Sequence, residues 1–181
     1  MTNNWLIIYL NKNYFLKVGN KIFRCQIGQG GHNSAQKKIE GDKTTPIGKW
    51  YLSSIYYRPD RVLRPRLKKK NILKVNRITK NCGWCDDIKS KNYNKYINIK
   101  KFSFQKINYE KLWREDNVYD IIIVISHNVK PTIRNKGSAI FIHCSFPDNR
   151  NTLGCVALKK KDLVYLFKCI NSHIYLNILY K

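Results

Sequence analysis

A mainly β fold is what this sequence predicts, and three observations predict it. Short apolar stretches rich in β-branched and aromatic residues recur through the first half of the chain, separated by Gly- and Asn-bearing turns. Asp120–Ile125 is an unbroken apolar run of the kind found in a central strand. Helical spacing is clear in one place near the C-terminus, at Leu163, Leu166, Phe167 and Ile170. With 181 residues, the length corresponds to one domain of typical size.

Trp5–Leu10 reads as a first strand, and Asn11-Lys12-Asn13 as a turn into Tyr14–Val18. Gly19-Asn20 supplies the φ > 0 residues of a tight hairpin before Lys21–Ile27. There Phe23, Cys25 and Ile27 alternate with Arg24 and Gln26, as in a half-buried strand. A Gly-rich loop, Gly28-Gln29-Gly30-Gly31, precedes a strand at Trp50–Tyr57. From 58 to about 113 the periodicity weakens. Arg61, Arg64, Arg66 and Lys68-Lys69-Lys70, broken by Pro59 and Pro65, suggest a basic insertion of loops and short strands rather than a second domain. In Ser138–Ser145, residues Ala139, Phe141 and His143 share one face, and Ile140, Ile142 and Cys144 the other. Gly154-Cys155 then enters the helix, whose start carries Lys159, Lys160 and Lys161 where cations oppose the macrodipole.

The 35 basic and 11 acidic residues leave a formal charge of +24, a field that favours anionic partners and says nothing of fold. No apolar run approaches the roughly 20 residues of a membrane-spanning helix. Trp5–Leu10 is cut short by Asn11-Lys12-Asn13 with no small-residue cleavage site after it, so no secretory signal is expected there. Six cysteines are too few for a disulfide-dense scaffold of this size, and each is a candidate for packing or chemistry.

His143 and Cys155 form the sharpest pair. A cysteine at a turn entering a helix, near an imidazole, is favoured as a thiolate nucleophile. The Gly154 and Cys155 amides there are placed to meet an oxyanion. Spacing alone would leave core packing the better reading. However, His143 followed by Thr152-Leu153-Gly154-Cys155-Val156 resembles the signature of the L,D-transpeptidase catalytic domain (YkuD-like) family. Gly41-Asp42-Lys43-Thr44-Thr45-Pro46-Ile47-Gly48-Lys49-Trp50 is similar to that family's early segment, and Tyr119–Ile125 with Ser126-His127-Asn128 to its strand ending in a polar pair. The three stand in the family's order.

The resemblance implies a single β-rich, sandwich- or barrel-like catalytic domain, with a helix after the catalytic Cys, acting on peptidoglycan stem peptides. It makes Cys155 the nucleophile, His143 its base, and Gly154 and Cys155 the oxyanion amides. Thr152 shapes the turn, and His127, Asn128 and Trp84 contribute to substrate binding. The thiolate would form an acyl-enzyme with the stem. An amine resolves it into a cross-link, whereas water makes the enzyme an L,D-carboxypeptidase. No cofactor and no metal are implied, and the substrate implies a cell-envelope location. The sequence departs from the common pattern at Leu153 and at Ala157, where many members carry Arg, leaving carboxylate recognition to Arg134, Arg150 or the basic insertion. Gly83-Trp84-Cys85-Asp86-Asp87 with Tyr93-Asn94 is similar to a subgroup in which the stem residue joined is the first rather than the third.

Cys82 and Cys85 have the Cys-x-x-Cys spacing of redox and zinc sites, but no βαβ context or second ligand pair accompanies them. Cys25, Cys144 and Cys169 read as core cysteines, and His32 and His173 as surface or loop residues. A non-enzymatic, basic nucleic-acid-binding protein is the alternative from another class, motivated by the charge but lacking a recognisable nucleic-acid module. A papain-like thiol peptidase places its Cys before its His, the reverse of the order here.

Overall fold

A computed structural model of the chain describes residues 5–10, 14–67, 73–102, 106–170 and 175–180. The turn expected at Asn11-Lys12-Asn13, the Lys68-Lys69-Lys70 run and His173 lie outside the described residues. The chain is mainly β. Its strands are β1 (Trp5–Leu10), β2 (Tyr14–Val18), β3 (Lys21–Gln26), β4 (His32–Ser34), β5 (Thr45–Tyr57), β6 (Lys74–Arg77) and β7 (Cys82–Cys85). They continue as β8 (Tyr96–Asn98), β9 (Tyr109–Lys111), β10 (Ile121–Ile125), β11 (Phe141–Cys144), β12 (Val156–Leu158) and β13 (Tyr175–Tyr180). A 3₁₀ turn covers Ile99–Phe102, and one α-helix, α1, covers Lys160–Cys169.

The three N-terminal strands form the antiparallel meander expected from their turns. Hydrogen bonding then runs β3 to β12, β12 to β11, β11 to β10, β10 to β5, β5 to β13 and β13 back to β1. The main sheet thus closes on itself as a barrel, which removes the unpaired edges that an open sheet would expose. Closure depends on β5, which is long enough to serve two neighbours within the barrel, besides its parallel pairing with β4 and β6. Gly48–Tyr51 pair with β13, and Leu52–Tyr57 pair with β10 across a register shift at Val124/Ile125. The strand begins at Thr45, five residues before the expected Trp50, because Pro46 and Gly48 lie within it as extended chain. Pro46 is tolerated there because its neighbour is the short edge strand β4.

Inside the barrel lies a core of Leu16, Ile27, Ile55, Ile123, Ile142, Val156 and Leu176, closed at one end by Leu163, Leu166 and Phe167 of α1. The helix therefore buries the predicted face. It does not follow Cys155 directly, however. β12 intervenes, because Val156–Leu158 pair parallel with β11 and antiparallel with β3. Lys160 at the helix start is offset by a carboxylate: buried Asp120 accepts from Lys160 Nζ at 2.8 Å and from Arg61 Nη1 at 3.3 Å.

The 58–113 segment carries more order than its sequence suggests. Strands β8, β7 and β9 make a second, three-stranded sheet. Ile78, Cys82, Trp84 and Leu112 from this region pack with Tyr56, Ile122, Val124 and Phe141 of the barrel wall in a second core. β7 also decides the fate of the Cys-x-x-Cys spacing. Cys82 and Cys85 are three residues apart on one strand, so their side chains leave opposite faces, and both are free thiols.

Asp120→Ala strips two cations of a buried partner and should cost about 2 kcal/mol of stability, whereas Lys160→Ala, at a half-exposed position, should cost less than about 1 kcal/mol. Urea denaturation of the two variants checks the order.

Candidate active site

β11 has two buried faces. Ile140, Ile142 and Cys144 turn into the barrel core, and Ala139, Phe141 and His143 turn toward the second core, as the alternation predicts. Parallel pairing with β12 sets Ile142 against Val156 and His143 against Ala157. Cys155, two residues before Ala157, therefore emerges on the same face as His143, one side-chain repeat (roughly 6.6 Å) along the sheet. Both line a cleft of about 510 Å³, with Tyr119, Arg114, Arg150 and Thr152 among its other walls.

The turn that carries Cys155 is tied down by Thr45. Its hydroxyl donates to the Gly154 carbonyl and accepts from the Gly28 amide, each at 2.9 Å. Thr152 pairs with the same loop, taking a hydrogen bond from the Gln29 amide to its carbonyl and giving its amide to the Ile27 carbonyl. The approach is so close that only glycine fits at two places. A Cβ on Gly28 would lie 2.1 Å from the Lys43 carbonyl oxygen, and one on Gly154, already at φ +134°, 2.9 Å from that of Thr44. Asp42 holds the other end of the segment. Burial opposes its ionisation, but hydrogen bonds from the Ile39 amide, Lys38 and the Thr44 amide keep its carboxyl below the usual range. The Asp42–Thr45 stretch of the motif is thus a clamp under the turn that carries Cys155.

Within the turn, the Thr152 hydroxyl donates to the Cys155 carbonyl at 2.6 Å and accepts from the Gly154 amide at 3.1 Å. The Gly154 amide, expected as an oxyanion donor, is therefore already occupied. No helix N-terminus lies at Cys155 either, since α1 begins at Lys160.

Cys155 and His143 are both held neutral. Burial pushes the Cys155 thiol up to about 12, against the opposing pull of the Phe141 amide and, more weakly, of the Lys38 charge. Burial pushes His143 down to about 4, although its bond to the Cys144 carbonyl works the other way. That bond, 2.8 Å from His143 Nδ1, puts the ring proton on Nδ1 because a carbonyl can only accept. Nε2 is left with its lone pair. The Cys155 thiol itself donates to the Ala139 carbonyl at 3.1 Å and accepts from the Phe141 amide at 3.4 Å. The resting pair is thiol and imidazole, not the thiolate that a helix N-terminus would have favoured.

Three residues expected to bind substrate stand behind the wall. Trp84, 5% exposed, packs edge-on to Phe141 and Tyr56, and its indole donates to Asn94. His127 is buried against Trp50, with Nε2 on the Lys136 carbonyl and Nδ1 without a hydrogen-bond partner among the described residues. Asn128 spends its side chain on Ile133 and Gly137, closing the loop after β10. None of the three lines the cleft, because the second core needs their apolar surface and the loop needs their polar groups. Of the candidates for carboxylate recognition, Arg150 is at the cleft and Arg134 is not. Ala157, where many members carry Arg, is fully buried between β11 and β3. Sequence reasoning missed Thr45 and the Ala139 carbonyl. Thr45 was in view as part of the Thr-Thr-Pro segment, but nothing local shows that its hydroxyl crosses to Gly154.

Thr45→Val keeps the shape and removes the hydroxyl, orphaning the Gly28 amide and the Gly154 carbonyl. A loss of about 1–3 kcal/mol in denaturant unfolding is expected. For His143, an unfolded histidine titrates near 6.5. Above that pH the group is neutral in both states and contributes nothing to the pH dependence. Between about 6.5 and 4 the unfolded chain takes up a proton that the folded one refuses, so stability falls as pH drops, by up to about 3 kcal/mol. Denaturation midpoints of wild type and His143→Gln, followed from pH 7 to 4, should diverge by that amount, the wild type losing more.

The family model described as the L,D-transpeptidase catalytic domain, YkuD, matches residues 3–173. No curated protein and no solved structure gives a significant match. The match takes in the clamp at Asp42–Thr45, the strand that carries His143 and the turn that carries Cys155. The chain belongs to the L,D-transpeptidase catalytic domain family, whose members are enzymes acting on peptidoglycan.

Proposed function

We propose that the protein is a peptidoglycan L,D-transpeptidase with Cys155 as nucleophile and His143 as general base. The observation that carries this reading is the emergence of Cys155 and His143 from one face of paired strands into one cleft. His143 Nε2, kept unprotonated by burial, takes the thiol proton as sulfur attacks the stem carbonyl. The proton then goes to the departing amine of the terminal residue, and a thioester remains on Cys155. An incoming amine attacks that thioester, gives its proton to His143, and the sulfur recovers it as the amide forms.

Because the thiol starts protonated, proton transfer accompanies attack rather than preceding it. Removal of water by the bound stem strengthens every interaction of this exchange. The Cys155 amide is the oxyanion donor in this scheme, joined by that of Gly154 if Thr152 releases it. Arg150, stacked over Phe146 at 4.1 Å and paired with Asp148 at 3.6 Å, is positioned for a stem carboxylate. The role proposed for Trp84, His127 and Asn128 is support of this wall. Cell-wall action implies work at the envelope. It also favours catalysis over nucleic-acid binding as the use of the +24 charge, since stems and envelope polymers are anionic.

Purified protein incubated with a tetrapeptide-stem muropeptide should accumulate a thioester adduct on Cys155, visible by intact-mass spectrometry, and release cross-linked dimers. Cys155→Ala should abolish both, and His143→Gln should slow adduct formation by about 10²–10⁴-fold. Release of trimmed monomers alone would identify a carboxypeptidase. Undiminished product from Cys155→Ala would overturn the assignment.

A further inference from the structure

We propose that Asn94, on the loop between β7 and β8, is a positioning residue that sets the geometry and acidity of the Cys155 thiol through the Ala139 peptide. The inference rests on the reading of Cys155 as nucleophile, and it concerns a residue outside the cleft. Asn94 is 3% exposed and uses its whole side-chain amide. Oδ1 accepts from Trp84 Nε1 at 2.9 Å and from the Ala139 amide at 3.1 Å. Nδ2 donates to the Asn128 carbonyl at 2.7 Å and the His127 carbonyl at 3.3 Å. Two donors on one side and two acceptors on the other leave the orientation of the amide unambiguous.

The Ala139 peptide is what this network acts upon. Ala139 stands at φ +52°, a left-handed conformation that a residue with a Cβ resists and that must be enforced by its surroundings. The enforcement reaches the nucleophile directly, because the Ala139 carbonyl accepts the Cys155 thiol proton. Asn94 grips the amide of the same residue whose carbonyl grips the thiol. It also anchors the His127 and Asn128 carbonyls at the end of β10, so the insertion holds both sides of the nucleophile's cradle.

The sign of the effect follows. A hydrogen bond given by the thiol stabilises the protonated form and raises the thiol's proton affinity. If the Asn94 contact is lost, the Ala139 peptide relaxes out of the left-handed region and its carbonyl leaves the sulfur. The thiol then becomes more acidic and also less well aimed. Alkylation and acyl transfer should therefore move in opposite directions, and because a loosened core would also expose the buried thiol, a core variant that leaves the Asn94 contacts intact is the necessary comparison.

The test uses the full chain. Iodoacetamide labelling of Cys155 is followed by peptide mass spectrometry from pH 6 to 10, alongside kcat and KM on the muropeptide. Asn94→Ala should label at least threefold faster at pH 7, with its pH profile displaced to lower pH, while kcat falls at least tenfold and KM changes less than threefold. Asn94→Asp retains the Oδ1 acceptor for Ala139, and its kcat should recover part of that loss. Leu112→Ala, destabilising the same core without touching the Asn94 contacts, controls for loosening. Equal labelling and kcat changes in Leu112→Ala, or an unmoved labelling profile in Asn94→Ala, would overturn the proposal. Labelling does not require turnover, so a failed nucleophile assignment would show separately, as activity surviving in Cys155→Ala.

Discussion

The parallel pairing of β11 with β12 is the constraint on which the rest of this structure depends. It fixes His143 and Cys155 on one face at one repeat's separation, without a direct hydrogen bond between them. Everything else holds those two short strands in place. β10 and β3 flank them, β5 closes the barrel behind them, and the Thr45 hydroxyl fastens the turn in front of them. A strand of four residues with both faces buried has no freedom to slip, because a shift of one residue would put Ile142 at the cleft and His143 into the barrel core.

Burial on both sides also sets the chemistry. In a low dielectric, charge separation between sulfur and imidazole is costly, and both groups stay neutral until a substrate is present. The His143 imidazole therefore remains unprotonated throughout the neutral range. The Cys155 sulfur keeps its proton there, so the proposed attack would need that proton removed as it proceeds. The Ala139 carbonyl and the Phe141 amide hold the sulfur from opposite senses, one favouring thiol and the other thiolate. Burial sets the resting state, and these two backbone groups adjust it.

Much of this was legible in the sequence, and the parts that were not share a cause. The meander, the central strand at Asp120–Ile125, the two faces of β11 and the inner face of α1 all followed from periodicity, which reports burial along one element. The start of β5 was hidden because Pro46 and Gly48 act as breakers in isolation, and only pairing with β4 and β13 makes them strand. The strand β12 was hidden because Val156-Ala157-Leu158 is too short to show a period, so the helix was expected to start at the cysteine. Thr152, Gly154, His143 and Cys155 stood out in the sequence because motif order carries information that periodicity lacks. Trp84, His127 and Asn128 were assigned to substrate for the same reason, yet a motif does not say on which side of a wall a residue stands.

The 58–113 segment places Trp84 and Asn94 behind that wall. Its sheet supplies Trp84 and Leu112 to the core behind Phe141, and its loop supplies Asn94 to the peptide behind Cys155. Buried amide networks tolerate no partial satisfaction, since each orphaned group costs about 1–3 kcal/mol. A segment joined to the barrel through such a network cannot drift without exposing those costs. Cys155 therefore rests on two independent supports: apolar packing that fixes the plane of β11, and an amide lattice that fixes left-handed Ala139 just before it. Packing alone would place the strand but leave the Ala139 peptide free to rotate. The polar lattice removes that remaining degree of freedom, which is why a basic, loop-rich insertion with little periodicity of its own is ordered where it meets the site.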